Sequence, residues 1–196
     1  MQEATPSRTA MRVAMRRAAH QLLDRPLVLD DPLALPIIGV QAEEALRKAG
    51  RKERRIHARA ARAIMVVRSR FAEDELERSL DRGVRQYVVL GAGLDTFAYR
   101  DPYPPGTLRV FEVDHPATQA WKRGKLAKAG IAVPASVTFA AVDFERRTLA
   151  EGLASAGFDP SVPTSFTWLG VTMYLTSDAI DSTLAYAASM PHGSGI

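Results

Sequence analysis

The chain has 196 residues, of which 46% are hydrophobic and 24% charged, the composition of one globular domain large enough to bury a core. This profile excludes a disordered, collagen-like or coiled-coil protein. The absence of cysteine excludes disulfide bonds, thiolate metal sites and a cysteine nucleophile, and it fits a reducing compartment. Because residues 1–6 carry no apolar signal segment and no run approaches the ~18 apolar residues of a membrane span, we expect a cytoplasmic protein.

Positive charge is concentrated in the first part of the chain. Residues 1–82 hold 17 Lys/Arg against 12 Asp/Glu, and eight of these cations fall within residues 47–62. Such a cluster is a candidate nucleic-acid surface. The more common explanation is the solvated face of an amphipathic helix, since apolar residues recur at steps of three and four opposite the arginines. The cations are Arg47, Lys48, Arg51, Lys52, Arg54, Arg55, Arg59 and Arg62, and the apolar residues are Ile56, Ala60, Ile64, Val67 and Phe71.

Residues 1–82 are predicted to form a helical cap, because their apolar residues follow the helical period and capping residues divide them into segments. The predicted segments, in chain order, are a first helix capped by Ser7 or Thr9 and closed by Pro26, a short helix with Asp31 as N-cap before Pro32, a helix over 41–49 stopped by Gly50, and a long helix over 53–81 ended by Gly83.

From residue 83 onward the pattern changes to short apolar or β-branched runs that alternate with helical segments. The runs cover 87–90, 108–113, 137–142 and 166–171, and this alternation predicts an α/β fold with a parallel, Rossmann-like sheet. Helices are predicted from Pro116, from Thr148 and from Thr176 or Ser177. The last residues, 193–196, have the pattern of a loop followed by the start of a fifth strand. We expect 1–82 and 83–196 to form one structural domain together.

The strongest local signal is the segment Val88-Val89-Leu90-Gly91-Ala92-Gly93, a buried strand that runs into a glycine turn. Glycines at this place let a ligand lie against the main chain at the carboxyl end of the first strand. The second strand ends at Asp114, 21 residues after Gly93, which is about the ~20-residue offset at which an acidic side chain reaches the ribose hydroxyls of a bound nucleotide.

Two observations address which adenosine ligand this edge would bind. A dinucleotide motif requires a third glycine where this chain has Thr96, which places NAD second. The third strand ends in Asp143-Phe144, an acid and an aromatic residue at the edge where adenine would lie. An acid for the ribose and an acid with an aromatic residue for adenine are expected of an S-adenosylmethionine pocket.

These segments resemble the signature blocks of the leucine carboxyl methyltransferase family, and in particular its bacterial branch of S-adenosyl-L-methionine-dependent methyltransferases. The resemblance covers nearly the whole chain and implies a class I methyltransferase sheet behind the N-terminal helical cap. The blocks that carry it are Val89 to Thr96, Phe111 to Pro116, Val142 to Phe144 and Trp168 to Leu175, together with Ser7 to Ala10, Arg17 to His20 and Asp31 to Ala34 near the N-terminus.

Carried over residue by residue, the resemblance implies a set of cofactor contacts. Arg68 would hold the methionine carboxylate, Gly91 and Gly93 would line the cofactor, Asp114 would hold the ribose, and Asp143 with the main chain of Phe144 would bind adenine. The chain departs from the carboxyl methyltransferases at Leu169, where they have a glutamate. The family sheet also has seven strands, so the chain is expected to be C-terminally truncated, with an exposed sheet edge that invites association with a second copy.

The implied reaction is methyl transfer to an oxygen of a small-molecule acceptor. A carboxylate acceptor needs no base, whereas a hydroxyl acceptor needs one. Three alternatives stay open: an NAD-dependent oxidoreductase, a nucleic-acid-binding module that uses residues 47–62, and a non-catalytic fragment. Candidate bases are His20, His115, Tyr99 and Tyr174; a helix cap is the expected role of His115, and core packing that of Trp121 and Trp168.

Overall fold

The computed structural model describes residues 7–53, 55–144 and 147–196. The predicted absence of a leader over residues 1–6 and the placement of Arg54 in the basic cluster therefore lie outside the described residues. Within the described residues the elements are α1 (Arg8–Leu23), α2 (Ala34–Ile38), α3 (Val40–Lys48), α4 (Gly50–Glu53), α5 (Ile56–Asp81), β1 (Gln86–Leu90), β2 (Arg109–Asp114), α6 (Pro116–Lys128), β3 (Val137–Ala141), α7 (Leu149–Ser155), β4 (Thr164–Trp168) and α8 (Ser177–Ala188), with short 3-10 turns at Phe97–Tyr99 and Thr172–Tyr174.

The strands form one parallel sheet in the order β3-β2-β1-β4, which confirms the predicted α/β class. Leu90 at the end of β1 lies beside Val113 of β2 and Trp168 of β4. Because parallel strands end at the same edge, this register brings the residues that follow each strand together. The glycine turn, Asp114 and Leu169 therefore meet at the carboxyl edge of the sheet.

Alternate side chains of the strands enter two different apolar layers. Val88, Leu90 and Phe111 are fully buried on the face covered by α7 and α8. Tyr87 and Val89 point to the other face and pack with Leu76 and Leu80 of α5. Burying each such side chain stabilises the fold by roughly 1.5–3 kcal/mol before entropic costs. The end of α5 is thus part of the core on this face of the sheet.

The N-terminal helices pack against each other and onto the edge of the sheet layers. Ala14, Ala18 and Ala19 of α1 share a buried apolar cluster with Ile37 and Ile38 of α2, and their small side chains let the two helices approach closely. Ser7 caps α1 by accepting a hydrogen bond from the Ala10 N–H, as predicted.

Two boundary predictions are wrong. Oδ1 of Asp31 accepts a 3.2 Å hydrogen bond from the Leu33 N–H, but residues 32–33 form a turn, so Leu33 and not Asp31 is the N-cap of α2. The predicted helix over 41–49 ends at Lys48 with Ala49 as its C-cap, and Gly50, its predicted stop, begins α4.

Helix α5 presents to solvent the face that its pattern predicts to be buried. Ile56 is 76% exposed, and Ile64 and Phe71 are each 61% exposed. In contrast, Arg62 is only 1% exposed and forms a bidentate ion pair with Asp24, its Nε and Nη2 donating at 2.8 Å. The amphipathic pattern fails here because a carboxylate that is itself only 29% exposed compensates the burial of an arginine. The basic cluster is therefore not one continuous solvated face.

The fourth strand and the C-terminal residues complete the visible edge. β4 spans Thr164–Trp168, so it begins two residues before the predicted run of 166–171 and ends three residues before the end of that run. It ends early because Gly170 turns the chain with φ of +73°. Gly195 forms a parallel bridge to Ser165, and its carbonyl accepts a 2.7 Å hydrogen bond from the Phe166 N–H. This single bridge involves the residues for which the start of a fifth strand is predicted, and it lies next to β4.

Candidate functional site

A cavity of about 430 Å³ opens at the carboxyl edge of β1, β2 and β4. The glycine turn after β1 forms its floor, and residues of α1, α5 and the loop after β4 form its walls. Parallel α/β sheets bind their ligands at this place. The charged residues that line it, among those described, are two arginines and three carboxylates: Arg17, Arg68, Glu73, Asp95 and Asp114.

The glycine turn has a backbone that only glycine adopts readily. Gly91 and Gly93 have φ of +64° and +47°. A Cβ on Gly91 would lie 2.4 Å from Cγ2 of Val171, and one on Gly93 would lie 3.0 Å from the Cβ of Ala10. Both glycines are therefore required by the turn and by the close approach of the cavity walls.

Asp114 lies directly beside this turn. Its Oδ2 accepts a 2.6 Å hydrogen bond from the Gly93 N–H, and its Oδ1 accepts one from the His115 N–H at 2.7 Å. Burial raises the pKa of Asp114, although these two hydrogen bonds oppose the rise. The carboxylate is thus fixed at the cavity with one lone pair left on each oxygen, which suits it to accept from a diol.

Arg68 enters the cavity from α5 and lies against Gly170. Its Nε is buried and has no hydrogen-bond partner within the described residues. Burial, followed by the charge of Arg17, lowers the pKa of Arg68. A buried donor without a partner is costly, and an anionic ligand in the cavity would satisfy it.

The predicted adenine contacts lie beyond the lining of the cavity. Asp143 follows β3, and its Oδ2 is 3.9 Å from Nε2 of His115, a residue that does line the cavity. Phe144 packs against the apolar layer beneath α7 and α8. Of the six predicted site residues, the cavity lining includes Arg68, Gly91, Gly93 and Asp114.

Comparisons with known proteins bear on this geometry. The sequence profile of the family "Leucine carboxyl methyltransferase" matches residues 10–188. A Bacillus subtilis protein named "Putative S-adenosyl-L-methionine-dependent methyltransferase YktD" is 32% identical over all of this chain. The chain belongs to the leucine carboxyl methyltransferase family. Two further relatives carry the same descriptive name: one from Mycobacterium tuberculosis H37Rv, 35% identical, and one from Saccharopolyspora erythraea, 37% identical, each over 90% of this chain.

The chain is shorter than these family members. It spans 71% of the Bacillus protein, 61% of the Saccharopolyspora protein and 52% of the mycobacterial protein. Within its described residues, no helix is long and apolar enough to cross a membrane.

The turn after β1 differs from the turn of a dinucleotide-binding motif. Thr96, which stands where a dinucleotide motif has its third glycine, is fully buried, and its Oγ1 donates a 2.8 Å hydrogen bond to Oδ2 of Asp31. The turn leads into the 3-10 segment Phe97–Tyr99 rather than into an α-helix. A pyrophosphate would therefore find no α-helix N-terminus here, which weighs against the NAD alternative.

A buried charge network behind the turn was missed by the sequence analysis. Arg17 donates from Nε and Nη2 to Asp31 at 3.2 and 2.5 Å, and from Nη1 to Oδ2 of Asp95 at 3.1 Å. Arg100 also reaches Asp31, with Nε 3.3 Å from Oδ1, and binds Glu73 through both guanidinium Nη atoms. The available signal was Thr96, a hydroxyl where the glycine pattern fails.

The candidate bases separate into two groups. His20 lies outside the cavity: its Nε2 accepts from the Val28 N–H at 3.1 Å, and its Nδ1 is 3.0 Å from Asp24. The Tyr99 hydroxyl donates to Glu112 at 2.9 Å, and burial raises its pKa. His115 and Tyr174 line the cavity.

The remaining aromatic predictions are confirmed. His115 is the N-cap of α6, with its Nδ1 accepting from the Ala117 N–H at 3.2 Å. Trp121 and Trp168 pack against apolar clusters.

Proposed function

We propose that this chain binds S-adenosyl-L-methionine in the cavity at the carboxyl edge of its sheet and transfers the methyl group to an oxygen of a small-molecule acceptor. The observation that carries the proposal is Arg68, whose buried Nε has no hydrogen-bond partner among the described residues and lies in the same cavity as the fixed carboxylate of Asp114. An amino-acid carboxylate and a ribose diol are the two groups that these side chains suit.

The charge of the cavity supports a cationic ligand. Its lining, within the described residues, holds three carboxylates and two arginines. The cofactor would contribute a sulfonium that carries an already activated methyl group. The protein's part is then to hold two reactants in line, so most of the catalysis would come from positioning.

Each predicted contact keeps its role in this proposal. Arg68 would bind the carboxylate, Gly91 and Gly93 would let the ligand approach the main chain, and Asp114 would accept from the ribose hydroxyls. Asp143 and the main chain of Phe144 would bind adenine where it extends past His115 toward β3. His115 and Tyr174 are the candidates for removing a proton from a hydroxyl acceptor.

The competing nucleic-acid-binding function receives less support. The basic cluster that would bind nucleic acid is divided: Arg62 is buried against Asp24, and Arg47 pairs with Glu43 at 2.7 Å. A cytoplasmic location, and association of two copies through the sheet edge beside β4, stay predictions.

Calorimetric titration of the purified chain with S-adenosyl-L-methionine and with NAD tests the proposal. We expect saturable binding of the first ligand and none of the second, and a loss of at least about tenfold in affinity for Asp114→Asn, since a charge-assisted hydrogen bond is lost. Asp178→Asn, an exposed change on α8, is the control. Binding of NAD alone, or no binding by a folded chain, would contradict the proposed function.

A further inference from the structure

The carboxylate of Asp95 lines the cavity, but none of the cofactor contacts proposed above involves it. Asp95 ends the glycine turn, and its side chain is 25% exposed. Its Oδ1 accepts a 2.8 Å hydrogen bond from the Phe97 N–H, and its Oδ2 accepts from Nη1 of Arg17 at 3.1 Å. Each oxygen can accept a second hydrogen bond, so Asp95 keeps acceptor capacity toward the cavity.

Arg17 orients Asp95 but does not neutralise the negative charge of Asp95 fully. The guanidinium of Arg17 is shared, since Nε and Nη2 both donate to Asp31. Burial raises the pKa of Asp95, but the charges of Arg17, Lys122 and Arg100 and the hydrogen bond from the Phe97 N–H together hold that pKa below its usual value. Asp95 is therefore an ionised, rigidly held acceptor.

The other carboxylates of the cavity are less suited to bind a cation. Arg100 donates to both oxygens of Glu73, at 3.0 Å to Oε2 and more closely to Oε1. Asp114 receives the Gly93 N–H and lies on the ribose side of the proposed ligand. Asp95 is the carboxylate that remains for a positive group.

Arg68 and Asp95 line the same cavity as a cation and an anion that do not pair with each other in the described part of the chain. A ligand with a carboxylate and an ammonium on one carbon matches this arrangement, because each ligand charge meets the opposite charge on the protein.

We infer that Asp95 binds the α-ammonium group of the cofactor's methionine end, with Arg17 as its positioning residue. This inference rests on the proposed function and extends it, since it predicts that the site requires a free amino group. Arg68 and Asp95 would then form one amino-acid subsite, in which each residue recognises a different charge.

Calorimetry with ligands that lack one group at a time tests this division. Decarboxylated S-adenosylmethionine keeps the amino group, and 5′-methylthioadenosine lacks the whole amino-acid end. Asp95→Asn should lower the affinity for S-adenosyl-L-methionine and for its decarboxylated form by about tenfold or more, but leave the affinity for 5′-methylthioadenosine unchanged. Arg68→Gln should lower the affinity for S-adenosyl-L-methionine alone among the three ligands. An Asp95→Asn chain that binds the decarboxylated ligand as tightly as the unmodified chain, or that loses all three ligands equally, would overturn the inference.

A second measurement needs no substitution and therefore does not depend on how the variants fold. The unmodified chain should bind S-adenosyl-L-homocysteine about tenfold or more tightly than the analogue without the α-amino group. Equal affinities would overturn the role of Asp95 while leaving the proposed function intact. A folded chain that binds none of these adenosine ligands would instead overturn the proposed function, and this inference with it.

Discussion

A Cβ at Gly170 would lie 2.5 Å from Nη1 of Arg68, so the missing side chain of one residue leaves the space that the guanidinium of the other fills. Gly170 follows β4 and has φ of +73°, whereas Arg68 comes from the middle of α5. The turn after β4 thus determines where the cation enters the cavity.

Gly170→Ala should displace Arg68 and lower the affinity for S-adenosyl-L-methionine by about tenfold, because a charge-assisted contact is lost. The strained backbone should also cost about 1–2 kcal/mol of stability. Gly130→Ala is the matched control, since Gly130 has φ of +67° but nothing within 4 Å of its Cβ position. Calorimetry and urea unfolding of both variants measure the two effects, and equal ligand affinities for the two would show that Arg68 is not held by this contact.

Cofactor affinity should fall as the solution is acidified. Burial raises the pKa of Asp114, so the carboxylate becomes protonated at a higher pH than an exposed aspartate and then loses acceptor capacity for the ribose. Titrations between pH 4 and pH 8 should show the decline in the unmodified chain. Asp114→Asn should bind weakly at every pH with a flatter profile; an unchanged slope would assign the pH dependence to another group.

The Arg62–Asp24 pair should contribute to stability in a pH-dependent way. The hydrogen bond from Arg62 lowers the pKa of Asp24 to about 2. Because the folded-state pKa lies below the unfolded value of 3.8, the contribution is complete above that value and is lost as pH falls toward about 2. Asp24→Asn should cost about 2 kcal/mol near neutral pH, since it removes the charged acceptor of Nε and Nη2 of the buried Arg62 and leaves only the contacts of Nη1 with Glu53.

Urea unfolding at neutral pH and at about pH 3 measures this effect. The control is Asp74→Asn, which breaks the exposed pair of Arg70 and Asp74 and should cost less than about 1 kcal/mol. If the two variants lost the same stability, the Arg62–Asp24 pair would have no special importance.

Substitutions on the exposed face of α5 should change stability much less than substitutions on its buried face. Ile64 is 61% exposed and Val66 is 2% exposed, although both are apolar and only two residues apart. Ile64→Gln should change the free energy of unfolding by no more than about 0.5 kcal/mol, whereas Val66→Ala should cost about 1–3 kcal/mol. Urea unfolding distinguishes them, and a large loss for Ile64→Gln would mean that the face is covered.

The sequence was informative where the signal is local. The apolar run before Gly91 predicts β1, and the spacing from Gly93 to Asp114 predicts an acid beside the glycine turn, where the structure has it. The hydrogen bond between Gly93 and Asp114 itself was not predicted, since the spacing indicates only an acid at the sheet edge for a ribose. The glycine turn was predictable because glycine alone adopts its backbone conformations readily, which leaves a trace in nearby residues.

What depends on distant partners could not be predicted. Arg62 resembles any solvated arginine until its contact with Asp24, 38 residues earlier, is known. The same holds for Arg17, whose partners Asp31 and Asp95 come from separate segments. A periodic pattern also does not show which face of α5 is covered, because the pattern contains no information about the neighbouring elements.

Asp31 connects parts of the chain that a linear description keeps apart. Its Oδ2 accepts hydrogen bonds from Arg17 of α1 and from Thr96. Thr96 lies 65 residues after Asp31, at the point where the glycine turn ends. Breaking this junction would release the helical cap and the ligand-binding turn at the same time. Amide protons of residues 91–97 should therefore exchange with solvent in the same opening event as those of α1, so that ligand binding slows exchange in a helix of which it touches only one side.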